Sequence, residues 1–393
     1  MSGDPPPDAF GDVPFLGELM RMLSGHAGSS SDTARQLAHT IANEGATEPN
    51  IDPTERLAVE QLIRVAELQV AAVTGLTVGH RGAVSVEVGN RAQWADRTIA
   101  DYRPLFETLA GAMTQRMQLP NDLPTGDPMA AMMAGMGQLM GPMMLGVTTG
   151  SMVGHLAHRA HGGHDLPVPR PEGAPILVLL RNVDEFGRDW SLDPGDLRLW
   201  VCLHEVATQS VINVPHVRAR LTDLLDRHAA AFDPDPGRLA DRFGDLDLGA
   251  GPEALARIQS ELGDPELVLG AVRSAGQDAV QPELTALVAT ITGYVDRTMD
   301  TIGETLIGSY PMITEAMRRR RVEADASDRF VERILGLELD ADQYDRGTAF
   351  AAGVVQRAGI DGLNRLFTEP EALPTPAEVD APGLWLARID LPS

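Results

Sequence analysis

Apolar residues recur at spacings of three and four along most of the chain, and the alternation typical of strands is scarce. The pattern predicts a mainly α-helical fold with a very small β component. Short strands are predicted in the 84–88 region and at 174–180, where β-branched residues and leucines are bounded by Gly or Pro. The predicted helices are 32–44, 53–74, 92–116, 128–160, 194–212, 215–231, 252–274, 282–308, 311–322, 327–336 and 341–358.

The start of the 194–212 helix is clearly marked. Asp193 can cap it, and Pro194 lies in the first turn, where its missing N–H is not needed. Apolar residues then cover more than one face of the helix, which predicts that it is buried. Pro215 ends the helix after Asn213.

The domain organisation follows from the spacing of these elements. Residues 1–30 begin with MSGDPPPDAFGDVPF, an acidic and Pro-rich stretch that predicts a flexible arm. Residues 31–393 are predicted to form a single helical domain. Within it, residues 161–175 are predicted to be a linker, and residues 233–253 an acidic connection between helices.

One segment without charges offers two interpretations. The 31 residues from 128 to 158 contain no Asp, Glu, Lys or Arg, and they include small residues at four-residue spacing, such as Gly150 and Gly154. Such a stretch is long enough to cross a membrane. However, Gly, Ala, Thr, Ser and Gln dilute its hydrophobicity and Pro142 interrupts it, which favours a buried central helix. The alternative is a structural or membrane-associated role for this helix.

The charge balance excludes several classes of partner. The 393 residues carry 32 basic and 56 acidic side chains, a formal net charge of -24. Nucleic acid and anionic membranes are therefore not expected as partners. The only cysteine, Cys202, can form no intramolecular disulfide, so a cytoplasmic location is predicted.

Candidate chemistry is concentrated in the sequence LHEVATQS. A helix with two histidines four residues apart, and a glutamate after the first, binds zinc and uses the glutamate as general base. Here His204 and Glu205 are present, but Thr208 stands where the second histidine is expected.

The surrounding sequence resembles a known family. The run DLPVPRPEGAPILVLLRNVDEFGRDWSLDPGDLRLWVCLHEV is similar to the core of the actinobacterial zincin-like metallopeptidase family, a group also catalogued as a domain of unknown function or as hydrolases. The segments ARQLAHTIANEG, RVAELQVAAVTGL, AQWADRTIADYRPLFETLA, GYVDRTMDTIG, LGLELDADQYDRGTAF and LPTPAEVDAPGLWLARI fit as well. The similarity therefore extends over nearly the whole chain beyond about residue 30.

The resemblance implies a role for each matching residue. His204 matches the first zinc ligand and Glu205 the general base, whereas Thr208 occupies the position of the second histidine. In TGYVD, Thr292 replaces the carboxylate ligand, and Asp296 matches an acid that orients the first histidine. Two of the three protein ligands are thus missing.

These losses lead to two hypotheses. The first is a non-catalytic pseudo-peptidase without a cofactor, which binds an unknown peptide or protein partner. The alternative is an active metal-dependent hydrolase, in which His204 and replacement ligands hold zinc and Glu205 is the general base. A stripe of carboxylates, Asp296, Asp300 and Glu304, would instead suit Mn²⁺ or Mg²⁺.

Other candidate residues have simpler interpretations. Cys202 is predicted to be a packing residue, and His216 a surface or helix-cap residue. The run RRRR at 318–321 is predicted to neutralise a helix end by pairing with Glu315, Glu323 or Asp325. Histidines recur every three residues in GHLAHRAHGGHD, where a solvated helix end is preferred to a metal site: His155, His158, His161 and His164. No Gly-rich phosphate loop or serine-nucleophile elbow is present.

Overall fold

The structure is a computed structural model and describes residues 30–43, 48–76, 84–117, 146–233, 273–323 and 326–391. Its first half contains α1 (Ser30–Ala42), α2 (Pro53–Thr74), β1 (Val86–Val88), α3 (Arg91–Asp101), α4 (Arg103–Met117), α5 (146–159) and β2 (Ile176–Val178). It continues with α6 (Leu180–Asp189), α7 (Pro194–Ile212), α8 (Pro215–Ala230), α9 (Ala275–Leu306), α10 (Tyr310–Val322), α11 (Ala326–Ile334), α12 (Ala341–Asn364), α13 (Pro376–Val379) and α14 (Pro382–Ile389). The prediction of a mainly α-helical fold is confirmed.

The small β component lies where the sequence predicts it. β1 and β2 form a parallel pair in which Val86 aligns with Ile176 and Val88 with Val178. On the other side of β2, Gly162 forms an isolated antiparallel bridge with Val178. The sheet therefore connects two distant parts of the chain to the segment that follows α5.

Helix α7 is the buried centre of the fold. The side chain of Asp193 accepts a hydrogen bond from the backbone N–H of Asp196, and Pro194 begins the helix, as predicted. The carboxylate of Asp196 in turn accepts hydrogen bonds from the backbone N–H and the hydroxyl of Ser309, just before α10. Helix α7 packs on α2, α6, α8 and α9, so its side chains are positioned from several directions.

Helix α9 crosses α12 at very short distance because both helices place a glycine at the crossing. A Cβ atom on Gly293 would lie 2.2 Å from the carbonyl oxygen of Gly347, and one on Gly347 would lie 2.1 Å from the carbonyl oxygen of Ala289. Any side chain at either position would force the helices apart. The close crossing fixes the position of α9, which lies opposite α7.

Several boundaries differ from the prediction for local reasons. The predicted 92–116 helix is two helices, because Pro104 cannot continue α3. Helix α9 begins at Ala275 rather than 282, since Ser274 and Gln277 form a capping box and Pro282 is accommodated inside the helix. Helix α12 extends beyond 358 to Asn364 across a kink at Gly359.

Some elements were not predicted, and others cannot be compared. Helices α6, α13 and α14 lack long apolar periodicity and were missed. The predicted linker 161–175 is wrong in its first part, because residues 161–164 are buried. Nearly all of the N-terminal arm, most of the 252–274 helix and nearly all of the acidic connection at 233–253 lie outside the described residues.

The described part of the uncharged segment, α5, packs closely on α1. A Cβ atom on Gly150 would lie 2.6 Å from the carbonyl oxygen of Ala34, and one on Gly154 would lie 2.7 Å from the Cβ of Ile41. The small-residue spacing therefore serves helix packing within the chain. Among the described residues, no helix combines the length and apolar character needed to cross a membrane.

We expect Gly154→Ala to lower the free energy of unfolding by about 1–3 kcal/mol, because the added methyl group must displace Ile41. The matched control is Gly111→Ala in α4, where an added Cβ meets no atom within 4 Å. That change should raise the free energy of unfolding by about 0.5–1 kcal/mol through better helix propensity. Chemical denaturation measures both, and equal effects would contradict the close packing of α5 on α1.

Candidate functional site

A cleft lies between α7 and α9 and is closed by residues that follow α5, by α10 and by the start of α12. It encloses about 950 Å³, including its open mouth. His204, Glu205, Thr208 and Thr292 all line it. The structure thus brings together four residues that the sequence places up to 88 positions apart.

The carboxylate of Glu205 is buried and fully engaged. It accepts hydrogen bonds from the backbone N–H groups of Gly163 at 2.9 Å and His164 at 3.1 Å. The Nδ1 atom of His164 lies 3.0 Å from the same carboxylate. The side chains of Glu205 and His164 are only 1% and 2% exposed. Glu205 therefore holds the segment 162–164 onto α7, and both of its oxygens have partners.

The segment 162–164 lies in close contact with Glu205 and is held from its other side by hydrogen bonds. A Cβ atom on Gly162 would lie 2.3 Å from the Cδ of Glu205, so only glycine fits here. From the other side, the indole N–H of Trp94 donates to the carbonyl of Gly162 at 2.7 Å, and Arg170 donates to the carbonyl of Gly163 at 2.8 Å. The buried loop is thus fixed from both sides.

Asp296 is turned to a cation instead of to His204. Its carboxylate forms two hydrogen bonds with the guanidinium of Arg321, at 2.8 and 3.0 Å. The same guanidinium lies 5.5 Å from the ring centre of Tyr344. Burial disfavours the charged guanidinium, but Asp296 outweighs burial and raises the pKa of Arg321. Arg321 therefore remains a permanent cation in the wall of the cleft.

The imidazole of His204 stacks on the indole of Trp200, with ring centres 5.1 Å apart and an angle of 10° between the planes. The two residues are four positions apart on α7, and this spacing puts them on the same face. Burial, followed by the positive charge of Arg321, lowers the pKa of His204 below its ordinary value. The imidazole is accordingly neutral near pH 7.

The histidine-rich run is not a solvated helix end, because α5 stops at residue 159 and the chain turns inward. His161 and His164 are buried and line the cleft. Burial, with the charge of Arg320 next in size, lowers the pKa of His161 to about 3. The Nε2 atom of His158 contacts the carbonyl oxygen of Ile41 at 2.7 Å. The expectation for His161 and His164 was therefore wrong.

The arginine run also has a different role from the one expected. Arg319 pairs with Glu315, as predicted. Arg320 instead reaches Asp165 at 2.9 Å and the carbonyl of Arg159 at 2.5 Å, both beside the cleft. Burial alone raises the pKa of Asp165, but Arg320 leads the nearby cations that lower it to about 2. Successive residues of a helix point in different directions, which is why the run divides between solvent and cleft.

The remaining sequence candidates do not contribute to the cleft. Cys202 is fully buried, and burial raises the pKa of its thiol. His216 contacts the carbonyl oxygen of Leu366 at 3.2 Å from the start of α8. Asp300 accepts a hydrogen bond from the hydroxyl of Tyr310, and Glu304 is exposed. The acidic stripe on α9 is thus not directed at His204.

The residues matched to the zinc site do not fit a zinc ion. A zinc site needs donors free to face the metal, usually histidine, cysteine or carboxylate. Glu205 is occupied by the 162–164 segment, Asp296 by Arg321, and Thr208 offers a neutral hydroxyl. Within the described ranges, no three His, Cys, Asp or Glu side chains are arranged to hold a metal ion.

Comparison with known proteins shows the family. A model of the zincin-like metallopeptidases matches residues 30–386, and the chain belongs to that family. A crystal structure from Chloroflexus aurantiacus, described as "a putative hydrolase with a novel fold", shares the fold with a TM-score of 0.59 and 23% identity. The match covers 92% of this chain and 99% of the other. No curated protein sequence matches the chain.

We expect Thr208→Val to leave the free energy of unfolding unchanged or to raise it by up to about 1 kcal/mol. The Thr208 hydroxyl is buried and has no hydrogen-bond partner among the described residues, and valine has the same shape without the polar group. The matched control is Thr290→Val on α9, whose hydroxyl donates to the carbonyl of Ala286 at 2.7 Å. The control should lose about 1 kcal/mol in chemical denaturation. A loss of the same size in both variants would show that Thr208 has a partner.

Proposed function

We propose that the protein is a non-catalytic member of the zincin-like metallopeptidase family and that its cleft binds a peptide or protein segment without a metal ion. The observation that carries the proposal is the engagement of Glu205 by Gly163 and His164. A general base must accept a proton from water bound at the metal. A carboxylate that holds a buried loop by three hydrogen bonds is a structural group.

The surroundings of His204, the residue matched to the first zinc ligand, support the same conclusion. His204 has Trp200 against one ring face, and the charge of Arg321 contributes to its lowered pKa. The same positive charge opposes a divalent cation at this imidazole. Thr208 and Thr292 add only neutral hydroxyls in place of the expected histidine and carboxylate. Without a bound metal, water is far too weak an acid to supply hydroxide for hydrolysis at neutral pH.

The alternative is an active metal-dependent hydrolase. One observation favours it: His161 and His164 line the same cleft as His204, so three imidazoles are available near Glu205. A replacement site would require these side chains to rearrange, because the Nδ1 atom of His164 already contacts Glu205. The net charge of -24 argues against a nucleic-acid partner, and the single Cys202 supports a cytoplasmic location.

We expect protein purified without chelators to contain far less than one zinc ion per chain, since of the three matched ligand positions only His204 carries a metal-binding side chain. Inductively coupled plasma mass spectrometry measures the metal, and a quenched fluorescent peptide library measures peptidase activity with and without added zinc. The control is His204→Ala, which should leave both results unchanged. Stoichiometric zinc that is lost in His204→Ala would overturn the proposal in favour of the hydrolase.

We expect Thr208→His combined with Thr292→Glu to create zinc binding that the natural chain lacks, because the pair restores the ligand types expected at these positions. A zinc titration against a chromophoric chelator measures the affinity, and thermal unfolding with and without zinc checks that binding stabilises the folded chain. Thr208→His alone is the control and should bind at least tenfold more weakly than the pair. No gain in the pair would mean that Thr208 and Thr292 do not occupy the former ligand positions.

A further inference from the structure

One arginine contacts several of the helices around the cleft. Arg321 is on α10, and its guanidinium forms two hydrogen bonds with the carboxylate of Asp296 on α9. The guanidinium lies against the ring of Tyr344 on α12 and lines the same cleft as His204 on α7. The side chains of Arg321 and Asp296 are mostly enclosed, at 21% and 24% exposure. A single cation therefore connects α9, α10 and α12 beside the imidazole of α7.

This ion pair lies on the face of α9 where the family resemblance implies groups that serve a metal ion. Thr292 and Asp296 are four residues apart, so they share one face of the helix. Thr292 stands at the position matched to the carboxylate ligand, and Asp296 at the position matched to the acid that orients the histidine. A metal ion joins such groups from separate helices through its positive charge. Arg321 brings a positive charge to the same face through hydrogen bonds.

The other arginines of the cleft pair elsewhere. Among the described residues that line it, Arg159 pairs with a glutamate of α11, and Arg320 pairs with Asp165 in the loop after α5. Neither ion pair includes a carboxylate of α9. The charge of Arg321 also reaches His204, because it contributes, after burial, to the lowered pKa of this imidazole. Arg321 is thus the cleft arginine that acts on the wall between α7 and α9.

A divalent ion and the guanidinium of Arg321 compete for the same place. Like charges a few ångströms apart repel each other strongly in a partly enclosed space. A guanidinium stays protonated at any pH at which the chain is folded, so a change of pH does not remove its charge. The two hydrogen bonds to Asp296 use one carboxylate oxygen each and are charge-assisted. Asp296 therefore already has its cation, and that cation belongs to the chain.

We propose that Arg321 is the resident cation of the former metal site: its guanidinium supplies the positive charge that pairs with Asp296 beside His204, and it thereby keeps a divalent ion out of the cleft. The inference rests on the proposed function, in which the cleft works without a metal. It adds the residue that replaces the ion. When the Arg321 side chain is shortened, Asp296 is left for a small cation, and a guanidinium ion matches its two oxygens with two N–H groups.

The first test is rescue of Arg321→Ala by a small cation, measured on the full chain by thermal unfolding. The variant leaves Asp296 without its partner in a mostly enclosed position, so the unfolding midpoint should fall by about 3 °C or more. Millimolar methylguanidinium should restore at least half of this loss by binding the carboxylate. Tetramethylammonium at the same concentration has no N–H group and should restore none of it.

The matched control is Arg319→Ala, two residues earlier on the same helix. Arg319 pairs with Glu315 at the surface, where the two side chains are 57% and 56% exposed. The loss of an exposed pair should lower the midpoint by less than about 1 °C, and methylguanidinium should not change it.

The second test is whether Arg321 keeps zinc out. A zinc titration against a chromophoric chelator compares the natural chain with Arg321→Ala and Arg319→Ala. We expect Arg321→Ala to bind zinc at least tenfold more tightly than the other two, because the opposing charge is gone and Asp296 is free to join His204 at the ion. Adding Asp296→Asn or His204→Ala to Arg321→Ala should remove the gain.

A double variant covers the case in which Arg321→Ala does not fold. Arg321→Ala combined with Asp296→Asn leaves no unpaired charge, so it should fold and should unfold at a higher midpoint than Arg321→Ala. It has no carboxylate for a cation, so methylguanidinium should leave its midpoint unchanged. A double variant that is no more stable than Arg321→Ala, or that methylguanidinium stabilises equally, contradicts the role assigned to Arg321.

The outcomes for the inference and for the proposed function are distinct. A destabilised Arg321→Ala without rescue by methylguanidinium, or with unchanged zinc affinity, overturns the inference and leaves the proposed function standing. Stoichiometric zinc on the natural chain, with Arg321 in place, overturns both. Rescue confined to Arg321→Ala, a gain in zinc affinity that depends on Asp296 and His204, and a natural chain without zinc support both.

Discussion

The buried carboxylate of Glu205 is the group on which the cleft depends. A carboxylate in the interior is tolerated only when hydrogen bonds replace its water, and Gly163 and His164 supply them. The loop is held against this carboxylate by Trp94 and Arg170 on its outer side. These contacts connect α7, the small sheet and α3, which carries Trp94. They set the position of the segment 162–164 in the wall of the cleft.

The positive charges in the wall of the cleft come from arginine side chains of the protein itself. Arg321 on α10 neutralises Asp296 on α9, and Arg320 neutralises Asp165 in the loop after α5. A guanidinium is charged at any pH that the protein meets, and it cannot dissociate as a metal ion can. The acidic groups Asp165 and Asp296 are therefore balanced by side chains of the chain itself.

Local sequence signals were sufficient for the fold class, the two strands and the ends of α7, because caps, prolines and apolar periodicity act over a few residues. They also placed His204, Glu205, Thr208 and Thr292 together through the family resemblance. Local signals did not predict the contacts between residues that are far apart in the sequence. Glu205 meets its partners 41 and 42 positions away, and nothing in LHEVATQS shows that a glycine pair fills the space beside it. Likewise, RRRR is a charge run in the sequence, and only the packing of α10 decides which arginines turn inward.

The bridge between Gly162 and β2 has a consequence for how a partner can approach. An extended peptide often binds by adding a strand to the exposed edge of a sheet, where backbone N–H and C=O groups are unpaired. On the β2 side that edge is already occupied: the N–H of Gly163 donates to the carbonyl of Leu177 and also to Glu205, and the N–H of Leu179 donates to the carbonyl of His161. A peptide that reached this side of the sheet would therefore meet no unpaired β2 edge and could not extend the sheet in register with β2.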